Sequence, residues 1–323
     1  MKWYLAAALG GILMGLLVVT SLKCGSSAGD IRIFYASGLT SLLDDYSKNS
    51  FPQWRYNALM EGSGSQAACR KLTELGRSCD LLMLADASLV SRMLPGYASF
   101  RLDFATDEIV LAVGSRAPHI SEAEADWTST LALPDVRLAR VDENQAPIGY
   151  RTLLVWRLTD MTTHRQSSIY DALLAKAAPL VDDVGRLTPL LKRGEIDYAF
   201  IYKSTCVSED IRFIKLADLV NLSSDHIDYG IAEVTFDRLK TGAKETVTMK
   251  GEPVYWTLTI PDASPNFPLA AAVVRRMLTD GRDKLSVHGF RPLAPRLYAI
   301  ENAAGIRAKK EFGDIAQYGG ELK

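Results

Sequence analysis

Three short segments carry the residue types that can hold a small anion without a formal counter-charge. They are Ala36-Ser37-Gly38-Leu39-Thr40-Ser41, Gly62-Ser63-Gly64-Ser65 and Asn144-Gln145-Ala146-Pro147-Ile148-Gly149. Each joins small or hydroxyl-bearing residues to the expected start of a helix. A helix N-terminus exposes unpaired N–H groups and a partial positive charge, and so attracts anions. Small residues admit a ligand to the backbone, and serine hydroxyls add donors. Taken singly, such segments are also ordinary caps and turns. Each charge-assisted hydrogen bond contributes roughly 1.5–3 kcal/mol, and nanomolar binding requires about 12 kcal/mol. About five to seven donors in a closed cleft therefore reach that range after desolvation.

Catalytic chemistry finds less support. No G-x-S-x-G elbow occurs, since Gly62-Ser63-Gly64-Ser65 runs on into Gln66, and a hydrolase built on Ser65 or Ser37 has no evident base nearby. P-loop and dinucleotide fingerprints are absent. His119, His164, His226 and His288 lack metal-ligand spacing and read as surface or turn residues. Asp44-Asp45 and Asp182-Asp183 read as solvated helix ends. A net charge of −1 over 323 residues argues against a nucleic-acid-binding surface but not against one anion in a cleft.

The elements that must position these loops alternate. Strands are expected at Ile31–Tyr35, Tyr56–Met60, Leu81–Leu84 and Phe104–Val113, with helices at Leu39–Lys48, Gln66–Leu75 and Ala87–Met93. A second unit is expected to follow, with strands at Val136–Val141 and Tyr198–Tyr202 and helices at Tyr150–Leu158 and Ser168–Lys176. Tyr255–Ile260 and Leu269–Leu278 complete the pattern as strand and helix, and residues 302–323 read as a peripheral helix with a frayed end. Alternation of this kind predicts an α/β fold with parallel sheets covered on both faces. At this length more than one lobe is expected. Ligands of open α/β sheets lie beyond the carboxyl ends of the strands, where the three loops fall.

Met1-Lys2 followed by the uncharged apolar run Leu5–Leu22 is the pattern of an export signal. Cleavage after Ala28, lipidation of Cys24 and retention of Leu5–Leu22 as an anchor are three open outcomes, and each places the remainder outside the cytoplasmic membrane. Cys69, Cys79 and Cys206 form no disulfide framework and are expected as buried thiols.

The chain resembles the archaeal-type molybdate/tungstate-binding proteins, the soluble component of an ABC importer. Matching segments, in order, include Ile33-Phe34-Tyr35-Ala36-Ser37-Gly38-Leu39, Glu61-Gly62-Ser63-Gly64-Ser65 and Phe104-Ala105-Thr106-Asp107-Glu108. They continue with Pro147-Ile148-Gly149-Tyr150-Arg151, Gly194-Glu195-Ile196-Asp197-Tyr198-Ala199-Phe200-Ile201-Tyr202 and Leu258-Thr259-Ile260-Pro261. The resemblance implies a type II periplasmic-binding-protein fold with two hinge-linked lobes around a ligand cleft. Residues 29–113 plus 232–323 would form lobe one and residues 114–231 lobe two, after a signal or anchor at 1–28.

It further implies ligand contacts from Ser37, Gly38, Ser65, Ala146, Ile148 and Tyr202, with Pro147 in the third loop offering no N–H. No cofactor, direct metal ligand or nucleic acid is implied. The expected partners are a small oxyanion and a membrane permease, with the protein itself a monomer. Two departures stand out. The family commonly has Asp before the proline of the third loop and a Glu ahead of a later helix, where this chain has Ala146 and Val184. Without those carboxylates the expected ligand is a tetrahedral oxyanion held by hydrogen bonds alone, unless Asp183 substitutes. Sulfate or another oxyanion on the same fold, and a membrane-tethered sensory or interaction protein, are the alternatives.

Overall fold

A computed structural model of the protein describes residues 29–163, 167–240 and 243–322. The expectations for Leu5–Leu22, Cys24, Ala28 and His164 lie outside the described residues. Along the chain the elements are β1 (Asp30–Ala36), α1 (Thr40–Asn49), α2 (Phe51–Trp54), β2 (Asn57–Ser63), α3 (Ser65–Thr73), β3 (Leu81–Leu84), α4 (Ser88–Met93) and β4 (Phe100–Thr106). Then come β5 (Ile109–Val113), α5 (Ile120–Ala132), β6 (Arg140–Val141), α6 (Pro147–Thr163), α7 (Ile169–Lys176), β7 (Leu180–Val181), α8 (Val184–Arg193), β8 (Tyr198–Tyr202), α9 (Lys203–Ser208) and β9 (Phe213–Lys215). The return is made by β10 (Glu233–Lys240), β11 (Ala243–Lys250), β12 (Tyr255–Thr259), α10 (Phe267–Leu278), α11 (Asp283–Val287), β13 (Arg291–Ala299), α12 (Ala303–Phe312) and β14 (Gln317–Gly320).

These elements form two lobes of unequal size. The larger is built on a seven-stranded sheet ordered β14-β13-β4-β12-β3-β1-β2. Its β1, β2 and β3 run parallel, whereas β12 and β13 enter antiparallel. The sheet is therefore mixed rather than all-parallel, because alternation in sequence cannot reveal late strands that return into an early sheet. β3 is buried along its whole length, as a strand covered on both faces must be. The smaller lobe carries an antiparallel sheet ordered β8-β5-β9 and the short parallel pair β6-β7.

Several expectations are corrected. Phe104–Val113 is two strands, not one: β4 ends at Thr106 in the large sheet, and β5, expected in lobe one, pairs with β8 and β9. The apolar run conceals the crossing, because both strands are buried and only Asp107-Glu108 interrupts them. Strand structure over Val136–Val141 is confined to Arg140–Val141, with an isolated bridge from Leu138 to Tyr198. The C-terminal stretch does not fray, since β14 pairs with β13 behind α12. Asp45 is no solvated helix end: it accepts from Lys284 and faces the His288 ring at 3.2 Å. Cys69, Cys79 and Cys206 are buried free thiols.

The two chain crossings lie side by side between the lobes. Ile109 N–H donates to Asn221 O, Val254 N–H to Leu222 O and Asp107 N–H to Val254 O, at 2.8, 2.9 and 3.3 Å. Asp107 gathers further donors here, from the Glu108 N–H, the Ser204 N–H and the Trp256 indole. Burial lifts its carboxyl to about 6, against those hydrogen bonds. Between the return crossing and β12 the hairpin β10–β11 packs on both lobes: Phe236 stacks on Tyr150 of α6, and Arg92 of α4 donates to Thr248 O. Among the described residues no helix is long and apolar enough to cross a membrane.

Candidate functional site

All three loops meet at one small cavity, lined by Ala36, Ser37, Gly38, Ser63, Gly64, Ser65, Ala85, Ala146, Pro147, Ile148, Val184, Tyr202 and Trp256. Its enclosed space is far below the roughly 300–1,000 Å³ of drug-sized pockets, so only a very small ligand fits it. Every residue singled out from sequence, Ser37, Gly38, Ser65, Ala146, Pro147, Ile148 and Tyr202, is on its wall. A larger open cleft of about 630 Å³ lies elsewhere, between Gly114, Leu191 and Arg212, and none of the three loops reaches it.

Lobe one contributes two helix starts. Ser37 and Gly38 open a short 3-10 turn that runs straight into α1, with the Thr40 hydroxyl donating to Ser37 O at 2.7 Å. A side chain at Gly38 would strike Trp256, since an ideal Cβ lies 2.8 Å from its ring, so glycine is what lets the indole cover this turn. Gly64 caps α3, and Ser65 is its first residue. The fully buried Ser65 hydroxyl accepts the Ala85 N–H at 3.0 Å, which leaves its own proton for an acceptor in the cavity. Ser63, by contrast, accepts from Lys71.

Lobe two faces this wall with α6 and the end of β8. Pro147 begins α6 and has no N–H, while Ile148 lies in the first turn, where N–H groups have no carbonyl behind them within the helix. The Ala146 N–H, expected to face the ligand, instead donates to Asp142 O at 3.2 Å, because residues 142–146 fold into a turn that Asp142 also caps through its side chain. Tyr202 ends β8 with its ring edge-on to Trp256, at 5.1 Å between centroids. Its hydroxyl accepts from Arg151 Nη1 at 2.8 Å. Burial holds the phenol up at about 12 against the pull of Arg151, so at neutral pH it keeps its proton.

The lobes touch across the cavity rim. An ideal Cβ on Gly64 would lie 2.1 Å from Gln145 O, so only glycine allows this approach. Arg70 of α3 donates to Asn144 O and to the Gln145 side chain, and Gln66 donates to Glu143 O.

No carboxylate lines the cavity. Val184 stands on its wall, while Asp183 caps α8 by accepting the Arg186 N–H at 3.1 Å. Sequence reasoning passed over Ala85 and Trp256. Ala85 follows β3 directly, so the rule that ligands sit beyond strand ends could have found it. Trp256 carried no local signal, because its role depends on β12 entering between β3 and β4. Among the described histidines, His119 pairs with Asp135, and His288 lies between Asp45 and Ser208. Among the described residues no group of three or more His, Cys, Asp and Glu can hold a metal ion.

With this geometry in view, the comparisons with known proteins agree. Residues 31–291 match the model of a family described as bacterial extracellular solute-binding protein. The molybdate/tungstate-binding protein WtpA of Thermococcus kodakarensis is 32% identical over 253 residues, covering 70% of this chain and 69% of that one. An uncharacterized solute-binding protein of Petrotoga mobilis is 29% identical over 297 residues, 90% of this chain and 91% of its own. In structure, the chain is similar to the periplasmic molybdate-binding protein of Azotobacter vinelandii, with a TM-score of 0.57 at 13% identity over 80% of this chain and 98% of the other. At that identity the likeness speaks for the two-lobed fold. The chain, on the extent of the family match, belongs to the bacterial extracellular solute-binding proteins.

Proposed function

We propose that this protein captures molybdate or tungstate as a tetrahedral dianion between its lobes, outside the cytoplasmic membrane, and delivers it to the permease of an ABC importer. The observation that carries this reading is the convergence of donors from both lobes on a small cavity without carboxylates. Ser65 and Tyr202 each accept from a donor behind them, so each hydroxyl offers the ligand a proton rather than a lone pair. That favours a fully deprotonated dianion over hydrogen phosphate, whose own proton needs an acceptor. Ser37, Gly38 and Ile148 add donors at helix starts. The resemblance to WtpA supports a metal oxyanion as the ligand.

In this reading the lobes divide near Asp107 and near the return through residues 221–254, and the protein works by binding rather than catalysis. It acts as a monomer, cleaved or anchored at its N-terminus. Ala146 and Val184 leave the oxyanion in tetrahedral, hydrogen-bonded form, with no protein oxygen on the metal. Calorimetric titration of the purified protein with tungstate, molybdate and sulfate tests the reading. Tungstate and molybdate are expected to bind at least about tenfold more tightly than sulfate, a difference of about 1.4 kcal/mol. Preference for sulfate would favour a sulfate carrier on the same fold, and no heat with any of the three would overturn oxyanion capture.

A further inference from the structure

Behind the cavity lies a buried ionic group that no ligand contact requires. Arg151, in the second turn of α6, is 3% exposed, and Asp86, in the loop after β3, is 4% exposed. The guanidinium makes three contacts at once. Nη1 donates to Tyr202 Oη at 2.8 Å and to the Ala85 carbonyl, and Nη2 lies 3.6 Å from Asp86 Oδ2. Tyr150, also on α6, donates its hydroxyl to the same Asp86 oxygen, while Asp86 Oδ1 accepts the Ser88 N–H. Ala85 and Asp86 belong to the large-sheet lobe, whereas Tyr150, Arg151 and Tyr202 belong to the other. The cluster therefore spans the cleft, and its two formal charges are matched only while the lobes are together.

We infer that Arg151 is a positioning residue that couples oxyanion capture to lobe closure, by turning the Tyr202 proton into the cavity and locking onto Ala85 and Asp86 of the opposite lobe. Two links support the coupling. Ala85 is held from both sides, by Arg151 at its carbonyl and by Ser65 at its N–H, so one peptide ties the ligand-facing serine to the latch. Tyr202 is the corresponding tie on the other lobe, with one donor behind it and the cavity in front. Opening exchanges these contacts for water, and closing must desolvate both charges again, so the latch holds only where its hydrogen bonds and the ligand's together outweigh that cost. Closure without ligand leaves the two hydroxyl protons unbonded. Closure with a dianion satisfies both, so latch and ligand reinforce each other.

This inference rests on the oxyanion reading, and the experiment separates the two. Tungstate affinity and release rate are measured for wild type, Arg151→Met, Arg151→Lys, Asp86→Asn and the Arg151→Met/Asp86→Asn pair. Trp256 fluorescence reports release, and small-angle scattering reports compaction. Arg151→Met is expected to weaken binding roughly 10- to 100-fold, through faster release, and to lose ligand-induced compaction. Arg151→Lys keeps the charge and a donor, and should recover to within about tenfold of wild type. The pair should lose little more than Arg151→Met alone, because both changes break one contact set. Wild-type release from Arg151→Met, fully additive losses in the pair, or no recovery in Arg151→Lys would overturn the coupling. If Arg151→Met does not fold, unchanged release from Asp86→Asn overturns it equally. Should wild type bind no oxyanion, the oxyanion reading fails. The latch is then judged on ligand-free scattering, where Arg151→Met and Asp86→Asn must be more expanded than wild type.

Discussion

On the lobe-one wall of the cavity, donors come from side chains and turns whose other bonds stay within that lobe: Ser65 is held by Ala85, and the Ser37 turn by Thr40. On the lobe-two wall, one of the expected N–H groups, that of Ala146, is already spent inside its own turn, and Pro147 has none. What lobe two brings instead is charge and reach, through Tyr202 backed by Arg151. Each hydroxyl is thus oriented from within its own lobe, and the difference lies behind it, since Arg151 also donates across the cleft to the Ala85 carbonyl. The difference teaches that the two walls share a donor type while only the lobe-two donor is tied to the opposite lobe.

The strongest way to break this comparison is to keep the walls apart. Gly64→Ala places a methyl against Gln145 O, where an ideal Cβ would lie at 2.1 Å. Overpacking of this kind costs about 3 kcal/mol, and the loss should appear as weaker oxyanion binding in calorimetry with little change in thermal stability. Tight binding by Gly64→Ala would mean that the rim contact is dispensable.

Next in size is the chain crossing at Asp107. The Asp107 carboxyl titrates at about 6, above its ordinary value of 3.8, so the folded state holds its proton more firmly than the unfolded chain. The stability it contributes is full below about pH 4 and is lost as pH rises through 6, a change of roughly 2–3 kcal/mol. Urea unfolding across that window should show Asp107→Asn with a flatter pH dependence than wild type. Parallel slopes would remove the Asp107 carboxyl from the account.

Ser65→Ala probes the lobe-one wall directly. It deletes a ligand donor and leaves the Ala85 N–H without its acceptor. A loss of roughly 1–3 kcal/mol in tungstate affinity is expected, and an unchanged affinity would take Ser65 out of the site. The smallest effect concerns the other wall. Asp183→Ala removes the cap of α8 and should lower unfolding stability by about 1 kcal/mol, while leaving affinity alone. A large fall in affinity would make Asp183 a ligand after all.

Much of the site was legible before folding, because helix starts announce themselves locally. Ser37-Gly38, Gly64-Ser65 and Pro147-Ile148 could be read as N-termini from their residue types, and all reach the cavity. The late strands were not legible, since β12 and β13 pair with β4 across long stretches of chain that no local pattern records. For the same reason Trp256 went unnoticed, and the crossing at Asp107-Glu108 was read as the middle of a strand.

By itself, then, the sequence determined the kind of donors available, the glycine at 64 that permits contact, and the lack of carboxylates at 146 and 184. Those are properties of single residues and their immediate neighbours. Only the tertiary structure decided which of those donors are still free. Hydrogen-bond capacity is shared between residues far apart in the chain: Ser65 and Tyr202 accept from Ala85 and Arg151 and keep their protons for a ligand, whereas the Ala146 N–H is spent on Asp142 O within its own turn.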